Sequence, residues 1–167
     1  MIEETLLQTA YLKSPIGNLK ITGAETGIRS VLFTDEFGEF SSETYFLTEA
    51  LNELEEYFQG MRKTFNLKVD LHGTSFQKKI WNELLKIPYG STISYIDLAI
   101  KHGDVKSIRA VGMANAKNPI AIIVPCHRVI GANGDLTGYA GGLQRKKWLL
   151  DLEGALQPDL FSAKKAL

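Results

Sequence analysis

The second half of the chain holds the stretch that decides its fold, residues 94–117, which read SYIDLAIKHGDVKSIRAVGMANAK. Ser94 and Asp97 have the spacing of a capping box, in which each side chain bonds to the other residue's backbone N–H. This pair predicts a short helix over residues 95–102. Gly103 suits the end of that helix, because glycine adopts a left-handed conformation without steric cost.

A second helix follows at once, because Asp104 can cap a helix over residues 106–117. Two short helices joined by a tight turn are typical of a helix-turn-helix, although many globular folds contain such a corner. The second helix is rich in small residues, and its Gly112 costs about 1 kcal/mol relative to alanine. Close packing against a neighbouring element is one explanation. Alternatively, a flat surface around Ala110 lets the helix approach a nucleic-acid groove, with Arg109 reaching into the base stack.

Upstream of this stretch, Thr74 and Gln77 predict another capping box. It opens an amphipathic helix whose apolar face is formed by Phe76, Ile80, Trp81, Leu84 and Leu85. The first half of the chain has a different pattern. Residues 6–12, 19–22 and 28–33 read as strands with short connections, and turns at residues 14–17 and at Gly27 make them an antiparallel meander.

A helix over residues 43–58 and a possible fourth strand over residues 66–71 complete the first half, which shows no chemistry and is interpreted as a support. The fold class is therefore α/β in the α+β sense. Residues 1–73 are predicted to form a small domain with an antiparallel sheet and a helix. Residues 74–155 are predicted to form a mostly helical domain with a winged-helix-like DNA-binding motif. Residues 156–167 are expected to be a flexible tail.

Composition limits the function classes. The 167 residues carry 19 Lys and Arg against 19 Asp and Glu, which argues against nucleic-acid binding through bulk charge alone. The single cysteine allows no internal disulfide and no cysteine-based zinc site, and the three histidines lack metal-ligand spacing. No signal peptide or membrane span is recognisable. We expect no metal, no cofactor, no membrane association and a reducing cytoplasmic location.

The reactive chemistry is expected at Cys126. It follows an apolar run at residues 120–124, is adjacent to His127 and precedes a glycine-rich loop. A thiolate is the nucleophile, and a neighbouring base increases its availability. Glu153, at the end of a last helix over residues 143–153, is the candidate that orients the imidazole. A lone cysteine is more often a small buried hydrophobe, so the pair alone does not decide the matter.

The sequence around Cys126 and His127 decides between a reactive and a structural cysteine. Residues 125–129 (PCHRV) resemble the signature of the O6-alkylguanine-DNA alkyltransferases, the methylated-DNA–protein-cysteine methyltransferases. The resemblance runs from about Phe76 to Gly154 and includes GSTISY (90–95), RAVG (109–112), NP (118–119), TGY (137–139) and GGL (141–143). The turn at residues 14–17 (SPIG) is similar to the family's N-terminal domain.

The resemblance implies an irreversible transfer of the alkyl group from O6-alkylguanine, and also O4-alkylthymine, in DNA to Cys126. His127 and Glu153 resemble the family's relay, in which a water links the cysteine to the histidine. Asn118 resembles the hinge between the recognition helix and an active-site strand. Tyr95 resembles the residue that steers the flipped nucleotide and protonates guanine N3.

The resemblance also assigns contacts. Arg109 is expected to fill the duplex where the base has flipped out, with Ala110 and Gly112 against the DNA. Substrate-pocket roles fall to residues that follow the cysteine: Val129, Tyr139, Ala140 and Lys146. Ala140 departs from relatives that have serine there, which leaves only a backbone N–H for that contact. The implied partner is double-stranded DNA bound through its minor groove, and we expect the protein to be a monomer.

Three alternatives stay open at this point. A lesion-binding relative that lacks transfer activity is disfavoured because Cys126 is present. A cysteine hydrolase or acyl transferase would use Cys126 and His127, but this function does not explain the small-residue helix that carries Arg109. Such an enzyme would turn over many times. A transcription regulator would use the helix-turn-helix alone and bind DNA by sequence rather than by lesion.

Overall fold

The computed structural model describes residues 6–39 and 45–156. Three strands form an antiparallel sheet in the order β1 (Gln8–Ser14), β2 (Gly17–Ala24) and β3 (Gly27–Thr34). Ser14 closes the first hairpin, since its hydroxyl donates a 2.6 Å hydrogen bond to the carbonyl of Gly17. The predicted meander and its first turn are confirmed.

Helix α1 (Tyr45–Phe58) packs on this sheet and buries the face that carries Leu47 and Leu54. The helix prediction is confirmed from residue 45 onward, and residues 43–44 lie outside the described part of the chain. The predicted fourth strand over residues 66–71 is wrong. Val69 alone makes a bridge to Ile28, because only the two backbone hydrogen bonds on either side of it reach the sheet.

Helix α2 (Ser75–Leu84) starts at the predicted capping box, in which Thr74 and Gln77 bond to each other's backbone. Leu85, predicted on its apolar face, lies beyond the helix end and is exposed. Gly73 lies against the ring of Trp81, where an added Cβ would come within 2.6 Å of ring carbons. Close approach therefore requires glycine at this position.

The helix-turn-helix is present. After β4 (Ile93–Ser94), helix α3 (Tyr95–His102) starts at the Ser94–Asp97 capping box and ends at Gly103, whose φ is 105°. Helix α4 (Ile108–Ala116) starts two residues later than predicted, because Asp104 instead caps a single 3₁₀ turn at Val105–Ser107.

The two halves of the molecule share one continuous apolar core. Val31 of β3 pairs with Ile120, through hydrogen bonds that join it to Pro119 and Ala121. The expected active-site strand after Asn118 is thus wrong: this segment makes one bridge and then turns.

Strand β5 (Val129–Ile130) pairs in parallel with β4, and helix α5 (Leu143–Leu152) ends the described fold. The predicted α+β class is confirmed, with an N-terminal antiparallel sheet and a mostly helical second half. Within residues 6–39 and 45–156, no helix is long and apolar enough to cross a membrane. The expected tail lies, apart from Leu156, outside the described residues.

Candidate active site

Two consecutive tight turns of the backbone position Cys126. The first is a γ-turn centred on buried Ile122, whose N- and C-terminal neighbours are joined by a 2.8 Å backbone hydrogen bond. Ile122 has a φ of 73°, a conformation that a β-branched residue avoids and that costs roughly 1–3 kcal/mol. The second turn is centred on Pro125 and joins the amide of Cys126 to the carbonyl of Val124. Backbone strain of this kind is concentrated at functional sites.

Asn118 holds these turns together. Its side-chain amide donates to the carbonyl of Val124 at 2.7 Å and to that of Ile120 at 3.3 Å, and its oxygen accepts from the amide of Ile120 at 3.0 Å. The buried side chain thereby closes the loop between the end of α4 and the cysteine. This arrangement suits the hinge role that the resemblance implies.

The carboxylate of Glu153 is the centre of a buried hydrogen-bond network. The Nε2 atom of His127 lies 2.8 Å from Oε1, and Arg128 donates to both oxygens, from Nε at 2.9 Å and from Nη2 at 2.8 Å. The hydroxyl of Tyr57 donates to Oε1 at 2.7 Å, and the amide of Gly90 approaches Oε2 at 3.4 Å. The predicted pairing of His127 with Glu153 is therefore present in the structure.

The network fixes the protonation states. Burial acts to raise the pKa of Glu153, but hydrogen bonds from His127 and Arg128 outweigh it and hold that pKa at about 2. Burial lowers the pKa of His127 below its ordinary value, against the opposing effect of Glu153. At neutral pH the carboxylate is ionised and the imidazole is neutral. Nε2–H then donates to Glu153, which leaves Nδ1 as a hydrogen-bond acceptor.

The other ring nitrogen of His127 is available for proton transfer. Nδ1 is buried and has no hydrogen-bond partner among the described residues. A buried acceptor of this kind is costly unless it is paired, directly or through water. Cys126 is the adjacent residue, and its thiol is also buried. Burial raises the pKa of that thiol, while the side chain of Asn118 and the positive charge of Lys146 act to lower it.

Lys146 is fully buried and braces the backbone behind the cysteine. Its ammonium group donates to the carbonyls of Val129 at 2.6 Å, Thr137 at 2.9 Å and Gly138 at 3.4 Å. Burial lowers its pKa to about 8. Lys146 thus ties the glycine-rich loop to the segment after Cys126.

A cavity of about 200 Å³ opens beside Cys126, and both Tyr139 and Ala140 line it. The hydroxyl of Tyr139 is buried without a hydrogen-bond partner among the described residues. Val129 and Lys146, also predicted for the substrate pocket, do not line this cavity. Its remaining lining is largely apolar and comes from β3, the end of α4 and the neighbouring loops: Val31, Leu32, Phe33, Ala116, Asn118, Ala121 and Gly141.

The predicted DNA contacts do not line this cavity. Arg109 and Ala110 are exposed on α4, and neither is among the residues that line it. Gly112 faces Tyr95, since an added Cβ would come 3.9 Å from its ring. The hydroxyl of Tyr95 donates a 2.9 Å hydrogen bond to the carbonyl of Thr137, so Tyr95 connects the helix-turn-helix to the glycine-rich loop.

Sequence reasoning missed three residues of this region. Tyr57 and Arg128 bind Glu153, and Arg145 donates to the carbonyls of Ile16 and Gly141. For Arg128 the available signal was its position in the sequence directly after the Cys126-His127 pair. Tyr57 and Arg145 gave none, because their partners are far away in the chain. In the described residues no group of histidine, cysteine, aspartate and glutamate could hold a metal ion.

Comparison with known proteins points to one family. Residues 75–155 match the profile of the 6-O-methylguanine DNA methyltransferase, DNA binding domain, and residues 7–71 match that of the 6-O-methylguanine DNA methyltransferase, ribonuclease-like domain. A methylated-DNA–protein-cysteine methyltransferase of Methanosarcina acetivorans is 49% identical over 87% of this chain and 97% of its own length. One of Mycobacterium leprae is 47% identical over 89% of this chain and 93% of its own.

Solved structures agree. The crystal structure of the Mycobacterium tuberculosis O6-methylguanine methyltransferase has a TM-score of 0.81 and 40% identity, and the match covers 95% of this chain and 99% of that one. The Mycobacterium tuberculosis OGT in complex with DNA has a TM-score of 0.79 and 42% identity, with 88% and 92% coverage. Both matched profiles and the near-full-length relatives show that the chain belongs to the 6-O-methylguanine DNA methyltransferase family.

Proposed function

We propose that this protein repairs DNA by accepting the alkyl group of O6-alkylguanine on Cys126. Membership of the family makes it a methylated-DNA–protein-cysteine methyltransferase, which reverses O6-methylguanine directly and binds damaged DNA. The observation that carries the residue assignment is the contact between neutral His127 and ionised Glu153, with Nδ1 left as an acceptor in the residue that follows Cys126. We expect O4-alkylthymine to be a second substrate.

The transfer begins with a proton. The thiol of Cys126 gives its proton to Nδ1 of His127, through a bridging water, and the imidazolium is stabilised by Glu153. Because burial raises the pKa of the thiol, this base is needed to generate the thiolate at neutral pH.

The bond exchange follows. The thiolate Sγ attacks the alkyl carbon, a carbon–sulfur bond forms, and the bond between that carbon and O6 breaks. The electron pair stays on the guanine, whose negative charge is neutralised when N3 takes up a proton, so the base is released neutral and the proton donor is reprotonated from the solvent. Tyr95 is proposed to supply a proton to guanine N3, which requires its hydroxyl to exchange its present bond with Thr137 for one with the base. The backbone N–H of Ala140 is proposed as a donor to O6.

The target base has to leave the duplex first, at a cost of a few kcal/mol. We propose that Arg109 fills the gap, with Ala110 and Gly112 allowing close approach to the minor groove. The exposure of Arg109 and Ala110 on α4 supports this. We also propose that the protein acts as a monomer in the cytoplasm, where a reducing environment keeps its single cysteine a thiol. A ligand that occupies the minor groove should compete with the protein for lesion-containing duplex.

Mass spectrometry tests the assignment. The protein is incubated with a duplex that contains O6-methylguanine, and its intact mass and modified peptide are determined. We expect a gain of one CH2 unit per molecule, located at Cys126, and none in Cys126→Ser. His127→Ala and Glu153→Gln should slow transfer by orders of magnitude and leave DNA affinity unchanged. Modification at a residue other than Cys126 would refute the proposal. Formation of more than one product per protein molecule, which a cysteine hydrolase would give, would also refute it.

A further inference from the structure

The N-terminal sheet forms one wall of the cavity beside Cys126. Phe33 of β3 lines it, together with Tyr139 and Gly141 from the glycine-rich loop. Tyr95 and Val129, which belong to the surfaces proposed to read the guanine, do not line it. A largely apolar cavity that Cys126 lines and that Tyr95 and Val129 do not line suits the alkyl group rather than the base.

Arg145 holds this wall in place. Its guanidinium lies over the ring of Phe33, 4.4 Å from the centroid, where a cation and an aromatic face attract each other. Its Nε donates to the carbonyl of Ile16 at 2.7 Å and its Nη1 to that of Gly141 at 3.1 Å. One side chain therefore links the first hairpin, the cavity wall and the glycine-rich loop.

The side chains of this cavity wall are closely packed and have little space in which to move. The rings of Phe33 and Tyr139 meet edge to face, with centroids 6.5 Å apart and planes at 72°. Gly141 fits between them so closely that an added Cβ would come within 2.9 Å of the Phe33 ring and 2.8 Å of the Tyr139 ring. Packed interiors resist added volume, so an alkyl group larger than the cavity has to displace Phe33.

We propose that Phe33, positioned by Arg145, sets the upper size of the alkyl group that Cys126 accepts. This specificity role rests on the proposed function. It assigns to the N-terminal half a part in choosing the substrate. Phe33 acts on the alkyl group by contact, whereas Arg145 acts through Phe33 and is a positioning residue.

Paired substrates test the role of Phe33. Single-turnover rates are measured on two duplexes of one sequence, one with O6-methylguanine and one with O6-benzylguanine. In Phe33→Ala the benzyl-to-methyl rate ratio should rise about tenfold or more, the scale on which an apolar pocket discriminates by size. Phe37→Ala is the matched control, because Phe37 also stacks with a cation, Lys13, but does not line the cavity. Its ratio should equal that of the wild type.

Arg145→Ala should raise the same ratio by a smaller factor, and Lys147→Ala, an exposed neighbour on α5, should leave it unchanged. Phe33→Trp covers the case in which Phe33→Ala fails to fold, and it should lower the ratio. An unchanged ratio in the Phe33 variants, with methyl transfer intact, overturns this inference alone. Absence of methyl transfer in the wild-type protein would instead overturn the proposed function.

Discussion

The hydroxyl of Tyr57, on helix α1, donates a 2.7 Å hydrogen bond to the carboxylate of Glu153, 96 residues later in the chain. Both side chains are buried. The same oxygen of Glu153 contacts His127, so the N-terminal half takes part in the hydrogen-bond network around the cysteine. Helix α1 is therefore more than a support for the second half.

Tyr57→Phe should destabilise the protein and slow transfer moderately. The change keeps the ring and removes one donor to an ionised carboxylate, a bond that contributes roughly 1.5–3 kcal/mol to stability. Transfer should remain faster than in Glu153→Gln, because His127 keeps its partner. Urea unfolding and single-turnover rates measure both effects. Tyr45→Phe, exposed on the same helix, is the control and should match the wild type. Equal stability of the two variants would contradict the prediction.

Local signals explain which parts of the fold were predictable. The capping boxes at Thr74 and Ser94 and the turn at Gly103 depend on residues at most four positions apart, so the sequence alone indicates them. The stretch at residues 66–71 has strand-like composition but makes a single bridge, because strand pairing depends on which backbone N–H and C=O groups of the sheet edge it can reach. Nothing in the local sequence carries that information.

The residues of the candidate site likewise divide into those that the sequence indicates and those that only the tertiary structure brings together. The Cys126–His127 pair is readable because its members are adjacent, and the family pattern adds Glu153. Phe33 and Arg145 contact each other across 112 positions, and only the tertiary fold brings them together. Periodicity shows which face of an element is buried but does not name its partner.

Transfer should be independent of pH around neutrality and fall in acid, as long as the pH stays below the pKa of about 8 at which Lys146 loses its charge. The reactive state has a neutral His127 to take the proton from Cys126. Burial lowers the pKa of His127, so protonation should inactivate the relay only below its ordinary value of about 6.5. Ionised Glu153, with a pKa of about 2, stays charged throughout this range. Single-turnover rates from pH 5 to 8 measure the profile. An acid limb with its midpoint at or above pH 6.5 would contradict the assignment.

Removing the ammonium of Lys146 should disrupt the loop that follows the cysteine. Lys146→Met matches the length of the aliphatic stem but leaves three carbonyls, those of Val129, Thr137 and Gly138, without this donor. Unpaired buried carbonyls cost about 1–3 kcal/mol each unless they find other partners. We expect lower thermal stability and transfer slowed at least tenfold. Lys147→Met, whose ion pair with Asp151 is exposed, should change neither quantity.

Arg109→Ala should impair repair of duplex DNA and spare reaction with the free base. Free O6-benzylguanine needs no extrusion from a base stack, so it does not require a side chain that fills the gap. Arg109 is exposed and does not line the cavity, so its removal should leave the chemistry of Cys126 intact. Rates on both substrates decide the matter. Equal losses on duplex and free base would assign Arg109 a structural role.

The alkylated protein should be unable to act again, and it should be less stable than the unmodified form. Transfer converts the thiol of Cys126 into a thioether, which has neither a good leaving group nor a carbonyl for water to attack. The chain supplies no second thiol to take the group onward. Product should therefore equal active protein in a single burst, and a steady state would defeat the mechanism.

The loss of stability follows from the position of the sulfur. Cys126 is only 5% exposed, and carbon atoms that exceed the cavity beside it add volume to a packed site, which costs about 1–3 kcal/mol and corresponds to a fall in Tm of roughly 2–10 °C for a protein of this size. The cavity beside the sulfur can take a methyl group with less strain than a benzyl group, so benzylation should lower Tm further. The strain should pass through the hydrogen bond of Asn118 to Val124 towards α4 and weaken the hold on repaired DNA. Cys126→Ala, incubated with the same substrates, should keep its Tm. An unchanged Tm in the alkylated wild-type protein would refute the strain and leave the chemistry untouched.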